Sequence, residues 1–497
     1  MTEQYKFFEH LLSGTAAGNP YMDIHLEAAF TDGRETVKVN GFYCDQGIYR
    51  IRFMPETPGV WTAVTSSNDP LLDNITITCH CVPAKEGNHG RVLPKNAICP
   101  QKEDAEESRF HFAYKDGNRY QPFGTTCYAW THQPGKIQEQ TLLTLKNAPF
   151  NKVRMCIFPK FYTYNTTDPE KYPFCQDAEH GFDFTRFDPE YWEHLEHRIA
   201  QLDALGIEAD LILFHPYDKW GFSKMDIHTD LLYLRYAVDR LCHFKNVWWS
   251  LANEYDLMPW KSIDDWELFA HTIMNRDPYG HLRSIHNCTT LYDHTRPWIT
   301  HASIQRTDVY KTAENVTEWR DMYQKPIVVD ECSYEGNICY GWGNITGEEM
   351  LRRFWEGCVR GGYLTHGEVY TQYEQIWWSH GGTLHGTCPS RIAFLRKTMA
   401  DAPEDAAPLR LTPQNHWANW DVPCLCCAHD NSYFLYYFGF SRPAFREYEL
   451  PEGCSYEIEL LDTWNMTTEK LPGLYSGSIR IMLPEKQYMA IRMKKSF

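Results

Sequence analysis

Two short stretches place carboxylates where chemistry could use them. Residues 248–256 read WWSLANEYD, and residues 326–336 read PIVVDECSYEG. Each is an apolar, strand-forming run that ends abruptly in Glu254 or Glu331. A carboxylate is costly to desolvate without partners, so each strand ends either in a surface turn or in a site. Trp248, Ser250, Ala252 and Glu254 share parity, as do Ile327, Val329 and Glu331. If the apolar members face the inside of a barrel, both glutamates point toward its mouth. Two convergent carboxyl groups suit hydrolysis of a glycosidic bond. One protonates the leaving oxygen and the other attacks the anomeric carbon, at a separation of roughly 5–5.5 Å in the retaining geometry. Proximity helps one of them keep its proton, because like charges raise each other's pKa.

The elements that must hold these residues can be read from the pattern around them. From about residue 108 to 404, short apolar runs alternate with helical stretches, as βα units do. Eight strand candidates lie near residues 120, 150, 207, 246, 282, 297, 326 and 361, with helices expected over 188–205, 226–243, 264–275, 312–324 and 347–359. Eight units in roughly 290 residues match a (β/α)8 barrel. A doubly wound open sheet would need a Gly-rich phosphate loop after its first strand, and PFGTTCY is not one. Residues 1–85 alternate short β runs with Gly, Pro and Asp turns and predict a sandwich. Residues 86–107 read as a linker, and residues 405–497 as a second sandwich. The expected fold is therefore multidomain, with a central (β/α)8 TIM barrel flanked by N-terminal and C-terminal β-sandwich domains.

Composition narrows the function. The 497 residues carry 65 acidic and 48 basic side chains for a net charge of −17, with no dense Lys/Arg patch, which argues against nucleic acid. No apolar run reaches the length of a membrane helix. Aromatic content is 15%, in keeping with a sugar-binding cleft. The opening MTEQYKFFEHLLSG has no export-signal pattern, and 17 scattered cysteines read as reduced thiols, so a cytoplasmic location is expected. The Cys-His-Cys at 79–81 and Cys-Leu-Cys-Cys at 424–427 lack structural-zinc spacing, and His194 with His197 lacks the metalloprotease pattern. No metal or cofactor is expected. No Gly-x-Ser-x-Gly elbow is present.

The two acidic runs resemble the strand-four Asn-Glu and strand-seven Glu signatures of clan A retaining glycoside hydrolases. That resemblance implies Glu254 as acid/base, Glu331 as nucleophile and Asn253 as a ligand of the sugar 2-hydroxyl. FNKVRMCIF resembles the strand-two segment whose arginine hydrogen-bonds the nucleophile, which points to Arg154. His215 at the end of strand three and His301 at the end of strand six fall where the clan often places site histidines. The tyrosine usually two residues after the latter is here Ser303. GFYCDQGIYRIRFMPETPGVWTAVTSS is similar to the N-terminal sandwich of the domain-of-unknown-function 5060 type. GGYLTHGEVYTQYEQIWWSHGGTLHG is similar to strand eight of apiosidase-like barrels (domain of unknown function 4038) that carry a 5605-type C-terminal domain.

Beyond these, Glu368 at the end of strand eight is a candidate for hydrogen-bonding sugar hydroxyls, and Trp130 for lining the mouth. Trp377 and Trp378 are candidates for a sugar platform, with one of them in the core. The function expected is a retaining, exo-acting glycoside hydrolase of small glycosides or oligosaccharides. Its partner is a carbohydrate, not nucleic acid or membrane, and a homo-oligomer is compatible. Its rivals are a non-catalytic carbohydrate-binding protein on the same scaffold and a metal-dependent hydrolase built on the barrel-end histidines.

Overall fold

The computed structural model describes residues 1–98, 105–177, 179 and 181–496, so residues 99–104 of the expected linker lie outside the described residues. At its centre is an eight-stranded parallel sheet: β1 (Phe123–Thr126), β2 (Lys152–Cys156), β3 (Glu208–Phe214), β4 (Val247–Ala252), β5 (Arg283–Ser284), β6 (Ala302–Gln305), β7 (Ile327–Glu331) and β8 (Tyr363–His366). The strand order is 5-4-3-2-1-8-7-6. Strand β5 has only two residues, so β5 and β6 do not form a ladder. The barrel closes between them through Thr300 N–H to Arg283 O at 2.9 Å and Arg283 N–H to Thr300 Oγ1 at 2.8 Å. Every residue of β3 and β4 is buried, because parallel strands are covered on both faces.

All five expected helices form, over Pro189–Ala204, Ile227–Leu241, Ile263–Arg276, Val316–Tyr323 and Gly347–Val359. Local signals set their starts. Asp188 accepts from the N–H of Glu190 at 2.9 Å, and Ser262 with Asp265 forms a capping box. Two further helices, Gly135–Asn147 and Pro389–Ala400, were not foreseen. The first buries Gln138 and Thr141 beside two leucines, so its inner face carries no clean apolar stripe.

The barrel interior is polar. Lys152 Nζ lies 2.6 Å from Asp330 Oδ1 and 2.8 Å from Asp210 Oδ2, and all three residues are inaccessible to solvent. Ser303 and Thr365 also donate to Asp330, at 2.5 and 2.7 Å. Below this layer a small sheet of Val92–Pro94, Phe112–Tyr114 and Arg119–Tyr120 plugs the floor, with Phe112 and Tyr120 packed on Trp248, Leu282 and Val328. The expected linker thus supplies a strand of that plug.

The inward parity on β7 differs from the expectation. Ile327 and Val329 pack outward with Trp319 and Phe354, so Val328 and Asp330 face in. A β-bulge delivers Glu331 instead: Ile304 pairs with Val329, and the next residue, Gln305, pairs with Glu331. Such an irregularity re-aims the side chain that follows it.

Before the barrel, a five-stranded mixed sheet and a three-stranded antiparallel sheet share a core in which Phe30 stacks on Phe53 at 4.2 Å. Strand Thr76–Val82 alternates exposed and buried, so Cys79 and Cys81 face that core while His80 faces out. Arg52 of this sandwich is buried against Glu196 at 2.9 Å, and Arg240 meets the same carboxylate at 2.6 Å. These are residues of the barrel helices 189–204 and 227–241. After the barrel comes a six-stranded sheet with a two-stranded partner, docked by Tyr437 stacking on Trp355 at 5.3 Å.

Replacing Lys152 by Met leaves two buried aspartates without their shared cation. The expected cost is about 3–5 kcal/mol of folding stability, read as a lowered urea midpoint. An unchanged midpoint would show that the aspartates do not depend on it.

Candidate active site

Both glutamates stand where the chain leaves its strands. Asn253 and Glu254 follow β4, and Glu254 adopts a left-handed backbone with φ of 53°. A non-glycine residue there carries strain of order 1 kcal/mol or more and needs support from its surroundings. The support is close by. Asn253 N–H donates to Phe214 O at 2.9 Å, and Tyr255 N–H donates to His286 O at 3.0 Å. Asp256 accepts from the backbone N–H groups of Cys288, Thr289 and Thr290, fastening the loop after β5 to the loop after β4.

One side chain joins the two carboxylates. With its amide nitrogen turned to the acceptors around it, Gln305 donates to Glu331 Oε2 at 3.0 Å and to Glu254 Oε1 at 3.2 Å. The sum of those distances bounds the separation of the two oxygens. Tyrosines hold the outer oxygens: Tyr128 OH donates to Glu331 Oε1, and Tyr217 OH to Glu254 Oε2. Tyr128 OH also lies 2.9 Å from Asn253 Oδ1, whose Nδ2 donates to Glu254 at 3.1 Å. Strands β1, β3, β4, β6 and β7 therefore all contribute to one hydrogen-bonded ring around the acid pair.

Burial and the neighbouring Glu254 carboxylate push the Glu331 pKa up to about 7, against the pull of Arg154, the Tyr128 hydroxyl and Lys160. Arg154 is fully buried, and none of its guanidinium nitrogens has a protein hydrogen-bond partner. The hydrogen bond to the nucleophile that resemblance implies is absent here. Arg154 acts on Glu331 through its charge.

Other expected residues divide between site and scaffold. Trp378 belongs to the site wall: its ring lies 5.7 Å from Tyr128 and 5.4 Å from Tyr334, and its indole N–H is unpartnered. Trp377 is core, donating to Thr125 Oγ1 at 2.8 Å. Trp130 is also core, fully buried with its N–H on the Met155 sulfur at 3.3 Å, and does not line the mouth. His301 is a correction. It precedes β6 rather than ending it, and its ring packs on Trp248 and Phe112 in the floor at 5.2 and 5.7 Å. Gln305 ends that strand. His215 lies beside the site, where Nε2–H donates to Phe158 O at 3.1 Å and burial lowers its pKa to about 3. Glu368 is a scaffold residue, accepting from the N–H groups of His385 and Gly386 at 2.5 and 2.7 Å. Among the described residues, Glu335, His366 and Glu368 are the one group of possible metal-ligand atoms, within 4.8 Å of one another. Glu335 is likewise taken up by backbone N–H donors, of Thr387 and Cys388.

Sequence reasoning missed Tyr128, Lys160, Tyr217 and Gln305. Each follows or ends a barrel strand, and that position was the available signal. A cavity of about 850 Å³ lies elsewhere, between the N-terminal sandwich and helix 227–241. Its wall of Tyr21, Asn40, Arg235 and Arg276 holds none of these residues.

Residues 106–405 match the profile of the family described as apiosidase-like, catalytic domain. Residues 1–68 and 420–494 match the domain-of-unknown-function families 5060 and 5605. A candidate glycoside hydrolase from Bacteroides vulgatus is similar over 100% of this chain and 99% of its own, at 36% identity and a TM-score of 0.90. A family 5 glycoside hydrolase from the same organism is similar in fold, with 16% identity, a TM-score of 0.62, and 82% and 94% of the two chains covered. No curated protein matches the chain. Among the described residues, no helix is long and apolar enough to cross a membrane.

The raised Glu331 pKa carries a stability signature. Between its ordinary value of 4.5 and about 7 the folded state holds a proton that the unfolded chain has lost, so stability falls as pH rises through that window. Glu331→Gln removes the effect. The variant should exceed the parent by on the order of 2–4 kcal/mol at pH 8 and match it near pH 4, measured by denaturant titration at each pH.

Proposed function

The chain belongs to the family of apiosidase-like catalytic domains, and we propose that it is a retaining glycoside hydrolase in which Glu331 is the nucleophile and Glu254 the acid/base. The observation that carries this reading is the single Gln305 amide bridging the two carboxylates. The bound it sets is shorter than the roughly 6.5–9.5 Å that inverting enzymes keep for a water molecule. Direct attack on the anomeric carbon is the chemistry that fits.

In the first step Glu331 attacks the anomeric carbon while Glu254 gives its proton to the departing oxygen. Burial and the Glu254 charge oppose ionisation of Glu331, while the charge of Arg154, the Tyr128 hydroxyl and the charge of Lys160 favour the ionised form that attacks. In the second step Glu254, now a carboxylate, takes a proton from water as the water attacks the glycosyl-enzyme ester. Asn253, hydrogen-bonded between Tyr128 and Glu254, is proposed to meet the sugar 2-hydroxyl as the clan's asparagine does. No step needs a cofactor.

Exo action on small glycosides or oligosaccharides is in keeping with a long connection after β2, in which Phe174–Asp177 pairs with Gly181–Phe187 and Phe182 packs on Phe222 of the connection after β3. A cytoplasmic location is supported by sixteen described cysteines, all free thiols.

The test is turnover of a broad panel of aryl glycosides with product stereochemistry followed by NMR. Glu331→Gln should lower kcat by roughly 10³-fold or more, and Glu254→Gln should lose least on the best leaving groups, which need no proton. First-formed product of inverted configuration would overturn the assignment of Glu331.

A further inference from the structure

Lys160 adds its charge to that of Arg154 in favouring ionised Glu331, yet it forms no ion pair with either carboxylate of the acid pair. It lies four residues past β2, and it is almost wholly buried. Four aromatic rings enclose its ammonium: Tyr128 at 3.7 Å to the centroid, Tyr217 at 4.3 Å, Tyr162 at 4.9 Å and Trp378 at 5.3 Å. Two of those rings carry the hydroxyls that hold Glu331 and Glu254. Among the described residues the ammonium has no hydrogen-bond acceptor and no carboxylate partner. Buried lysines are normally paired, and this ammonium has its N–H donors free for a bound acceptor. The indole N–H of Trp378 is a second unused, buried donor on the same cage.

The reaction makes this placement stranger still. The transition state at the anomeric carbon is oxocarbenium-like and carries positive charge. A fixed ammonium one side chain away from both carboxylates opposes that charge, and in a water-poor site the opposition is not well screened. Its presence makes sense when substrate brings a compensating anion. The closest ring to the ammonium is Tyr128, whose hydroxyl touches both Glu331 and Asn253. The cation thus lies between the rings that hold the two carboxylates, within reach of a glycosyl unit joined to Glu331.

From this we propose that Lys160 is a specificity-determining residue and that the sugar transferred to Glu331 carries an anionic oxygen group, a carboxylate or a sulfate ester, seated on Lys160 and the Trp378 N–H. The inference rests on the glycosidase reading for the identity of the transferred sugar, while the binding of the anion by Lys160 stands apart from turnover.

Two measurements separate those parts. In the first, kcat/KM is compared for aryl glycuronides and aryl 6-sulfo-glycosides, each against its neutral parent. The expected preference for one acidic series over its parent is at least about 10–100-fold, the worth of a charge-assisted hydrogen bond. Lys160→Met should collapse that ratio toward one, and Lys160→Arg should keep most of it. Because the ratio is taken within one protein, loss of folded enzyme cannot mimic the result. The proposal is overturned if neutral glycosides are preferred, or if Lys160→Met lowers every substrate equally, which would make the lysine a servant of the carboxylate pair. In the second measurement, glucuronate, galacturonate, glucose 6-sulfate and glucose are titrated calorimetrically into Glu331→Gln. Tighter binding of an acidic sugar that disappears in the Lys160→Met double variant upholds the proposal even if no glycoside is turned over. Equal binding of acidic and neutral sugars refutes it.

Discussion

A lysine buried in the middle of the barrel constrains everything above it. Lys152 on β2 holds Asp210 on β3 and Asp330 on β7, and none of the three reaches solvent. Buried charges persist only when paired and fully hydrogen-bonded. The pairing therefore locks the heights of three strands that are not all neighbours. Asp330 is held far below the usual carboxylate range; burial opposes this, and the Lys152 charge and then the Arg154 charge outweigh it. With Asp330 pinned inward by Lys152, Ser303 and Thr365, the residue after it has one place to go. The bulge against β6 turns Glu331 into the mouth, beside the Gln305 that ends the same neighbouring strand.

This dependence explains which parts of the molecule were legible in the sequence. The βα alternation was, because strands buried on both faces and capped helices each leave a local signature, as β3, β4 and Asp188 do. Glu254 and Glu331 were legible because an acidic residue closing an apolar strand contradicts its surroundings. The route by which Glu331 reaches the mouth was not, since parity presumes a regular strand and cannot register an offset set by the next strand. His301 was misplaced for a related reason. Strand β6 begins one residue later, so four positions separate the floor from the mouth, and Gln305 looked like an ordinary loop residue. Trp130 and Trp377 show the limit of residue type: a tryptophan near a barrel mouth packs inward as readily as it faces a ligand, and only three-dimensional contacts separate Trp377 from Trp378.

The site also depends on loops that the barrel alone does not secure. Lys160 rides on the long connection after β2, which touches the loop after β3 through Phe161 N–H to Tyr217 O at 2.9 Å. Asn165 ties the same connection to itself through its amide on Lys160 O at 2.5 Å. Further along, the connection meets the N-terminal sandwich, where Asn19 Nδ2 lies 2.9 Å from Thr185 Oγ1 and Tyr21 OH 3.0 Å from Phe187 O. That sandwich is in turn clamped to the barrel helices by the Arg52–Glu196–Arg240 cluster, whose fully desolvated charges leave little freedom to slide.

The two flanking modules therefore differ in what they give the site. The C-terminal sheet docks on helix 347–359 through Tyr437 and Trp355, behind β7 and β8, and steadies the strand that ends in Glu331. The N-terminal sandwich reaches the loop that carries Lys160. A single long loop bearing a caged cation would be a poor specificity element if it were free to move, because a charge displaced by an ångström loses both its aromatic cage and its ligand. Anchoring the far end of that loop on a separate, rigid domain is a physical solution to this problem, and it accounts for a sandwich that leaves the acid pair itself untouched.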